Sequence, residues 1–305
     1  MPHSHHSHSG QFCKHAVGTL EEVVNEAIRQ HFTVYGLTEH VPRYRQQDLY
    51  PEEAGLTPND LSTQFNAFLD EAHRLKPLFG SQIRLLVGLE TEHISPVDLD
   101  AIAHLLQQHS GRIDYIVGSV HHVLETPIDF DEATYHEAEL KAGSVSALLV
   151  AYFEAQYEIL DRFRPEVIGH FDLCRLYTPS LRFSDFPEAF ELAKRNILFA
   201  IEYGALFEVN AAALRKGWET PYPGPDILEF IVAHGGRLAL SDDSHGPHAV
   251  GLNYGRLPDY LHRAGVQDLW TLAPSDAPNP GGRMVIPVKL DGDWKKHAFW
   301  TQLGL

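Results

Sequence analysis

Histidine is unusually frequent in this chain, and its placement suggests metal chemistry. The 305 residues include 20 histidines, and the chain opens with the histidine-rich stretch MPHSHHSHSGQFCKHA. The histidines of this stretch are His3, His5, His6, His8 and His15. Such a stretch could be a purification tag, a tail that binds metal through composition alone, or the first part of an active site. Serines interrupt it and a helix-start pattern follows at once, so the rest of the chain must decide between these interpretations.

Further histidines and carboxylates, together with one asparagine, stand at the ends of short apolar segments that are typical of buried strands. These residues are Glu39, His40, Glu90, Glu92, His93, His121, His122, His170, Asp172, Asn210, Asp242, Asp243 and His245. Imidazole and carboxylate groups are the ligands of Zn, Fe or Mn sites. One catalytic zinc takes about three protein ligands. The number of candidates therefore predicts a site with several metal ions, and it favours the active-site interpretation of the opening histidines.

Strands and helices alternate along the chain, which predicts how these residues come together. The expected strands cover 33–40, 83–90, 114–120, 166–170, 205–210, 237–243 and, more weakly, 268–273. The expected helices cover 20–31, 60–79, 98–109, 145–163, 187–203, 225–234 and 256–264. An earlier strand would finish at the His6/His8 pair. This alternation predicts an α/β fold of parallel βαβ units, and both a closed barrel and a doubly wound sheet satisfy it.

A parallel barrel would place all the carboxyl ends of its strands on one face, where such enzymes carry out their chemistry. The chain shows no linker or low-complexity segment, so we expect one domain over 1–305. The segment 41–60 predicts a long polar loop after a strand. The Pro/Gly-rich segment 274–287 predicts a connection that closes the barrel on the outside.

Composition narrows the class of protein. Lys and Arg number 24 against 41 Asp and Glu, a formal net charge of −17, and such a field repels nucleic acid and anionic membranes. No apolar run is long enough to span a bilayer, and the start lacks the apolar region of a secretory signal. The two cysteines, Cys13 and Cys174, fit a reducing compartment. We expect a cytoplasmic enzyme with a small-molecule substrate, and the oligomeric state stays open.

Taken together, seven segments resemble the successive motifs of the PHP (polymerase and histidinol phosphatase) family. They are HSHSGQFCKHA, LTEH, GLE, GSVHH, GHFDL, EVNAAALRK and LSDDSHG, and they run in order through the chain. The resemblance implies a distorted seven-stranded (β/α)7 TIM-like barrel with three divalent metal ions. Within the family, the motifs are most similar to those of the monofunctional phosphatases of fungal type. That similarity implies hydrolysis of L-histidinol phosphate to L-histidinol and phosphate in histidine biosynthesis.

The resemblance also implies a ligand set for the three metal ions. The first metal would take His6, His8, Glu90 and Asp243, the second Glu90, His121 and His170, and the third His15, His40 and His245. The opening loop is one residue longer than in most bacterial members, which leaves His3 and His5 as spare donors. Glu39 replaces the Asp of many members and His122 has no counterpart, so we expect both to support ligands or substrate.

A phosphate monoester needs a local positive site in this acidic protein. Three divalent ions, offset by two ligating carboxylates, would leave a surplus of about four charges. A guanidinium matches phosphate bidentately, so Arg215 is the expected phosphate clamp. The lesser candidates are Lys216, Arg43 and Arg45, and Asn210 is a further substrate-binding candidate. Asp172 or His245 could relay a proton to the leaving alkoxide, and Glu39 or Glu92 could bind the substrate ammonium.

Three other classes of protein remain possible from the sequence. A PHP-type nuclease or another phosphoesterase would share the metal centre, although a nuclease needs basic strips that this chain lacks. An amidohydrolase-like enzyme would show a carbamylatable lysine at a strand end, and none of the predicted strand ends has one. A metal buffer without catalytic activity would need no Arg215.

Overall fold

Seven parallel strands form the central sheet in the computed structural model of the protein, which describes residues 2–302. They are β1 (His3–Ser4), β2 (Val34–His40), β3 (Arg84–Glu90), β4 (Tyr115–Gly118), β5 (Val167–Ile168), β6 (Leu206–Asn210) and β7 (Arg237–Ser241). Their order in the sheet is their order in the chain, and every neighbouring pair is parallel. This winding confirms the predicted α/β barrel.

Helices connect successive strands and cover the outside of the sheet. They are α1 (Leu20–Arg29), α2 (Pro58–Phe79), α3 (Pro96–Gln108), α4 (Glu132–Ala142), α5 (Val145–Phe163), α6 (Pro187–Tyr203), α7 (Ala212–Arg215), α8 (Pro225–Ala233), α9 (Leu257–Arg263) and α10 (Ala298–Gln302). Predicted and observed boundaries of the shared elements agree within two residues. Over residues 2–302, no helix has both the length and the apolar character needed to cross a bilayer.

Helices α4, α7 and α10 were not predicted. In α4 only Tyr135 and Ala138 are buried, so the sequence lacks the apolar stripe by which an amphipathic helix is recognised. The Asp131 side chain caps this helix by accepting a hydrogen bond from the Thr134 N–H at 2.7 Å. Capping by Asp131 and packing against α5 therefore stabilise a helix that the spacing of its apolar residues does not predict.

The barrel closes between β1 and β7, which form no backbone ladder with each other among the described residues. Just beyond them, Ser7–His8 pairs parallel with Ser244–His245, and side chains complete the seam. The ring nitrogen Nε2 of His3 accepts the Leu240 N–H at 2.9 Å. The Ser4 hydroxyl accepts the Asp242 N–H at 3.2 Å and donates to the Asp242 carboxylate at 2.8 Å. His3 thus joins the two ends of the sheet, and it is a structural residue rather than a spare metal donor.

The predicted strand 268–273 does not belong to the barrel sheet. Instead β8 (Trp270–Pro274) pairs antiparallel with β9 (Val285–Lys289). Leu272 and Val285 join a buried cluster with apolar residues of the barrel strands, and the Leu272 N–H donates to Nε2 of His5 at 3.1 Å. The segment 274–287, expected to close the barrel from outside, therefore belongs to a hairpin that seals its amino end.

The barrel interior changes from apolar to polar along the strands. Inward residues at the amino end, such as Val34 and Leu86, form the buried cluster together with Tyr115. A Cβ atom at Gly36 would lie 1.9 Å from the Tyr115 hydroxyl oxygen, and one at Gly88 would lie 2.7 Å from its ring. Only glycine at these two positions leaves room for Tyr115 to lie across the barrel interior. The polar residues lie between this tyrosine and the carboxyl ends of the strands.

Candidate metal centre

Glu90, the last residue of β3, lies at the middle of a cluster of histidines. Five ring nitrogens lie 3.0 to 3.3 Å from its carboxylate oxygens, those of His6, His8, His40, His121 and His170. Burial opposes ionisation of Glu90, but the charges of His6 and His121 outweigh it and hold its pKa well below the usual range. The cluster is therefore organised around a buried anion.

Asp243, two residues after β7, adds a second carboxylate to this cluster. Its Oδ1 lies 3.7 Å from Nε2 of both His6 and His8, and 3.6 Å from Nδ1 of His245. Burial opposes ionisation here too, but the charge of His6 outweighs it and holds the pKa of Asp243 well below its usual value. The backbone of Asp243 has a φ of 46°, a left-handed conformation that is uncommon outside glycine and often marks a functional site.

A third group, His15, His40 and His245, lies beside the first two. One ligand atom from each of these residues lies within 4.8 Å of the others, and the His15 ring lies 5.1 Å from that of His245. Burial lowers the pKa of all three, that of His40 to about 3. They are therefore neutral at physiological pH, which is the form of imidazole that binds metal.

Three buried carboxylates lie behind the histidine rings. Each is within 3.3 Å of the Nδ1 atom of a histidine whose Nε2 faces Glu90: Glu39 behind His8, Glu92 behind His121 and Glu208 behind His6. A carboxylate behind a metal-binding histidine fixes the tautomer and orientation of the ring. Glu39 thus supports a candidate ligand, as expected, but it and Glu92 are turned away from any substrate ammonium.

Glu208 was missed by the sequence analysis. Its carboxylate accepts hydrogen bonds from the backbone N–H of His170 at 3.0 Å and from Nδ2 of Asn210 at 3.0 Å. It also lies 3.0 Å from Nδ1 of His6. A signal was present, because Glu208 is a lone charge in the apolar strand ALFEVN and lies two residues before Asn210. Side chains alternate along a strand, so both residues face the same side of the sheet.

The donor atoms of the cluster fit metal ions. Nε2 of His6, Nε2 of His8, both ring nitrogens of His40 and Oε2 of Glu90 are buried without a hydrogen-bond partner among the described residues. Buried polar atoms ordinarily find partners, and these converge on one another instead. Imidazole and carboxylate donors are the ligands of zinc, iron and manganese. The residues present therefore suit divalent metal binding.

A cavity of about 450 Å³ opens above the cluster. Its charged and aromatic wall residues outside the cluster are Lys14, Tyr50, Glu52, Asp129, Phe130, Arg215 and Lys216. Arg215 ends α7, and no described carboxylate lies within 4.0 Å of its guanidinium or of the Lys14 and Lys216 ammonium groups. The expected phosphate clamp thus lies on the cavity wall with its charge uncompensated, and Lys216 lies beside it.

The other arginines expected to contact phosphate lie elsewhere. Arg43 forms a buried ion pair with Glu53 and lies over the Tyr50 ring at 5.1 Å. Arg45 pairs with Asp48 at 2.7 Å and Glu125 at 2.9 Å. Neither side chain lines the cavity. Because their charges are already neutralised by carboxylates, this geometry favours a structural role for both.

Of the two expected proton relays, only His245 lines the cavity. Asp172 is fully buried, paired with Arg175, and it accepts the Gly224 N–H at 2.8 Å. Asp172 therefore anchors a loop below the cavity wall, which explains why a strand-end carboxylate stays out of reach of a substrate.

Two expected substrate-binding residues are also held inside the protein. Nδ1 of His122 lies 3.2 Å from Glu92. The side-chain Nδ2 of Asn210 donates to Glu208, and its side-chain oxygen Oδ1 accepts the Ala212 backbone N–H at 2.9 Å. Neither lines the cavity. Both residues orient other residues of the site. For His122, support of ligands was one of the two expected roles, and contact with substrate was the other.

A parallel barrel with imidazoles and carboxylates converging at its carboxyl ends, beside a cavity with unpaired cationic groups, defines a metal-dependent hydrolase of the α/β-barrel class. The family model described as the PHP domain matches residues 4–212. The chain belongs to the PHP family, as the resemblance of its motifs predicted.

Known proteins extend this likeness over nearly the whole chain. The chain is 46% identical over 302 residues to a probable histidinol-phosphatase of Schizosaccharomyces pombe, covering 98% of this chain and 97% of that protein. It is 33% identical to the histidinol-phosphatase of Saccharomyces cerevisiae, covering 85% and 88%.

Two solved structures share the fold. A putative histidinol phosphatase of Listeria monocytogenes matches with a TM-score of 0.74 at 22% identity, over 84% of this chain and 99% of that one. A histidinol phosphate phosphatase of Lactococcus lactis, solved with zinc, L-histidinol and phosphate, matches with a TM-score of 0.60 at 18% identity, over 88% and 95%. These likenesses confirm the PHP barrel.

Proposed function

We propose that this chain is a histidinol-phosphatase, which hydrolyses L-histidinol phosphate to L-histidinol and phosphate. The observation that carries the proposal is the placement of Arg215 and Lys216 on the wall of the same cavity that Glu90, Asp243 and six of the seven candidate ligand histidines line. A phosphate held by the cationic groups would therefore face the metal ligands. The fungal relatives at 46% and 33% identity bear this name, and both cover most of the chain.

The ligand arrangement supports three divalent metal ions. His6, His8, Glu90 and Asp243 would hold one, Glu90, His121 and His170 a second, and His15, His40 and His245 a third. When bound, divalent ions lower the pKa of water and stabilise charge on phosphoryl oxygens. The zinc in the Lactococcus lactis enzyme makes zinc the first ion to test, with iron and manganese as alternatives.

Buried carboxylates lower the positive charge available to the substrate. Besides Glu90 and Asp243, the pKa values of Glu92 and Glu208 are held below the usual range, by histidines that outweigh burial. These four anions would leave a surplus of about two charges from three divalent ions, instead of the four expected from ligands alone. The surplus then only balances a phosphate dianion.

Arg215 and its neighbours would therefore be needed to make phosphate binding favourable. Arg215, Lys216 and Lys14 line the cavity and add three positive charges at its wall. A guanidinium also binds two phosphate oxygens in a fixed geometry. The residue that we assign to substrate phosphate and to transition-state charge is Arg215, and Lys216 and Lys14 contribute longer-range attraction.

Phosphate release tests the proposal directly. Metal-loaded protein is incubated with L-histidinol phosphate, with other small phosphomonoesters and with single-stranded DNA, and inorganic phosphate or nucleotide is measured. We expect the highest kcat/KM for L-histidinol phosphate and loss of activity after chelation. Activity on DNA without phosphate release from L-histidinol phosphate would replace the proposal by a PHP nuclease. Absence of turnover on every substrate, with metal bound, would indicate a metal buffer.

We also propose that the whole chain acts as one cytoplasmic domain without a nucleic-acid partner. Its formal net charge of −17 opposes binding to polyanions. Both cysteines are free thiols, which suits a reducing compartment.

A further inference from the structure

The cavity wall carries negative as well as positive groups, and the negative groups have no role in the chemistry at phosphorus. Arg215, Lys216 and Lys14 are the cationic residues, while Glu52 and Asp129 are the acidic residues outside the metal-ligand cluster. L-Histidinol phosphate carries a phosphate at one end and an ammonium group on the adjacent carbon, followed by an imidazole. A cavity wall with both positive and negative charges complements such a substrate.

Asp129 is the carboxylate of this wall that is available to a ligand. It follows the short antiparallel pair of His122–Val123 with Thr126–Pro127 and is half-buried. No cationic group of residues 2–302 lies within 4.0 Å of it, whereas Nδ1 of His15 lies 3.3 Å from Glu52. The Asp129 carboxylate therefore lies on the cavity wall without an ion pair to a described residue, where it can accept hydrogen bonds from a cationic group of a ligand.

An aromatic pair adjoins Asp129. Phe130 stacks on Tyr50 with ring centroids 5.8 Å apart and an angle of 25° between the rings. Phe130 leaves 39% of its surface exposed on the cavity wall. An apolar ring with a free surface at this place can take a flat heterocycle in van der Waals or stacking contact.

We propose that Asp129 binds the ammonium group of the substrate and that Phe130, supported by Tyr50, packs against its imidazole. The proposal rests on the proposed function and assigns the specificity of the same site. It also replaces Glu39 and Glu92, the carboxylates expected from sequence for this task, because both lie behind ligand histidines. No ring nitrogen of a candidate ligand histidine lies within 4.0 Å of the Asp129 carboxylate among the described residues, so this carboxylate is free to contact the substrate.

The test compares L-histidinol phosphate with 3-(imidazol-4-yl)propyl phosphate, which lacks only the ammonium group. Asp129→Asn should lower kcat/KM for L-histidinol phosphate by roughly ten- to a hundred-fold, since a hydrogen bond between charged groups is lost. For the analogue, the change should stay under about threefold. Glu132→Gln is the matched control, because this exposed carboxylate lies three residues away and outside the cavity, and it should change neither substrate.

Each outcome of this comparison decides the proposal. Equal losses on both compounds would assign Asp129 a structural role and overturn it, and so would equal activity of variant and wild type on L-histidinol phosphate. If the wild-type protein does not hydrolyse L-histidinol phosphate at all, the proposed function fails instead, and that result is separate from any effect of the variant.

The aromatic contact has its own probe. O-Phosphoethanolamine has the ammonium group but no imidazole. Phe130→Ala should lower kcat/KM for L-histidinol phosphate by roughly two- to ten-fold and leave that for O-phosphoethanolamine within twofold. Asp129→Asn should lower both. A loss for Phe130→Ala that is equal on the two substrates would remove the imidazole contact from the proposal.

Discussion

Replacing Glu208 by glutamine should weaken metal binding although Glu208 is not a predicted ligand. Its carboxylate lies 3.0 Å from each of three groups: Nδ1 of His6, the His170 N–H and Nδ2 of Asn210. His6 and His170 both turn their Nε2 atoms toward Glu90. One buried carboxylate therefore orients residues assigned to two different metal ions.

The magnitude follows from these contacts. Glutamine keeps the volume of Glu208 but has one acceptor oxygen in place of two, and its NH₂ group would face donors. At least one charge-assisted contact is lost, which costs about 1.5 to 3 kcal/mol in the free energy of unfolding. Loss of a carboxylate behind a ligand histidine typically weakens metal binding about ten- to a hundred-fold, or about 1.4 to 2.8 kcal/mol.

The assay is competition for zinc or manganese against a chromophoric chelator, combined with urea unfolding of the metal-free protein. Glu166→Gln is the control, since Glu166 is also buried, binds Arg283 at 2.6 Å and precedes β5 at the other end of the barrel. Both variants should lose stability, but only Glu208→Gln should lose metal affinity. Unchanged affinity in Glu208→Gln, or an equal loss in the control, would refute the orienting role of Glu208.

Three further predictions concern the metal ions and the phosphate. Metal-loaded protein should contain about three equivalents per chain by elemental analysis, and one or none would contradict the ligand assignment. Glu90→Gln should lose metal and phosphatase activity together, because its carboxylate is shared; full retention of both would identify the wrong glutamate. Arg215→Ala should lower kcat/KM for L-histidinol phosphate by about thirty- to a thousand-fold at unchanged metal content, and a loss under threefold would remove it from the site.

The predicted ligands could be found from sequence because of where parallel strands end. Glu90 and His40 are the last residues of β3 and β2, and a barrel brings such positions to one face whatever the details of packing. Helix α5 was predicted with its observed bounds, since its apolar stripe is a local feature of the sequence. The spacing of apolar residues, helix caps and strand ends are properties of short segments, so they can be predicted without knowledge of the tertiary contacts.

The opening histidines show the limit of such reasoning. His3 and His6 are the same residue type three positions apart, yet His3 accepts the Leu240 N–H across the barrel seam while His6 faces Glu90. Both begin the same His-Ser-His triplet, and only the family resemblance assigned His6 and not His3 as a ligand. The structural role of His3 could not be read from this stretch, because it depends on β7, which lies more than two hundred residues away in the chain.

The sequence by itself determined the alternating elements, the family and the set of residues that converge at the carboxyl ends of the strands. Only the tertiary structure decided which polar residues meet a substrate. Both Arg215 and, as a lesser candidate, Arg43 were expected from sequence to bind phosphate, but Arg43 is neutralised by Glu53 and Arg215 lines the cavity with no ion pair to a described residue. A side chain's free charge depends on long-range neighbours that pair with it, and folding alone brings those neighbours together.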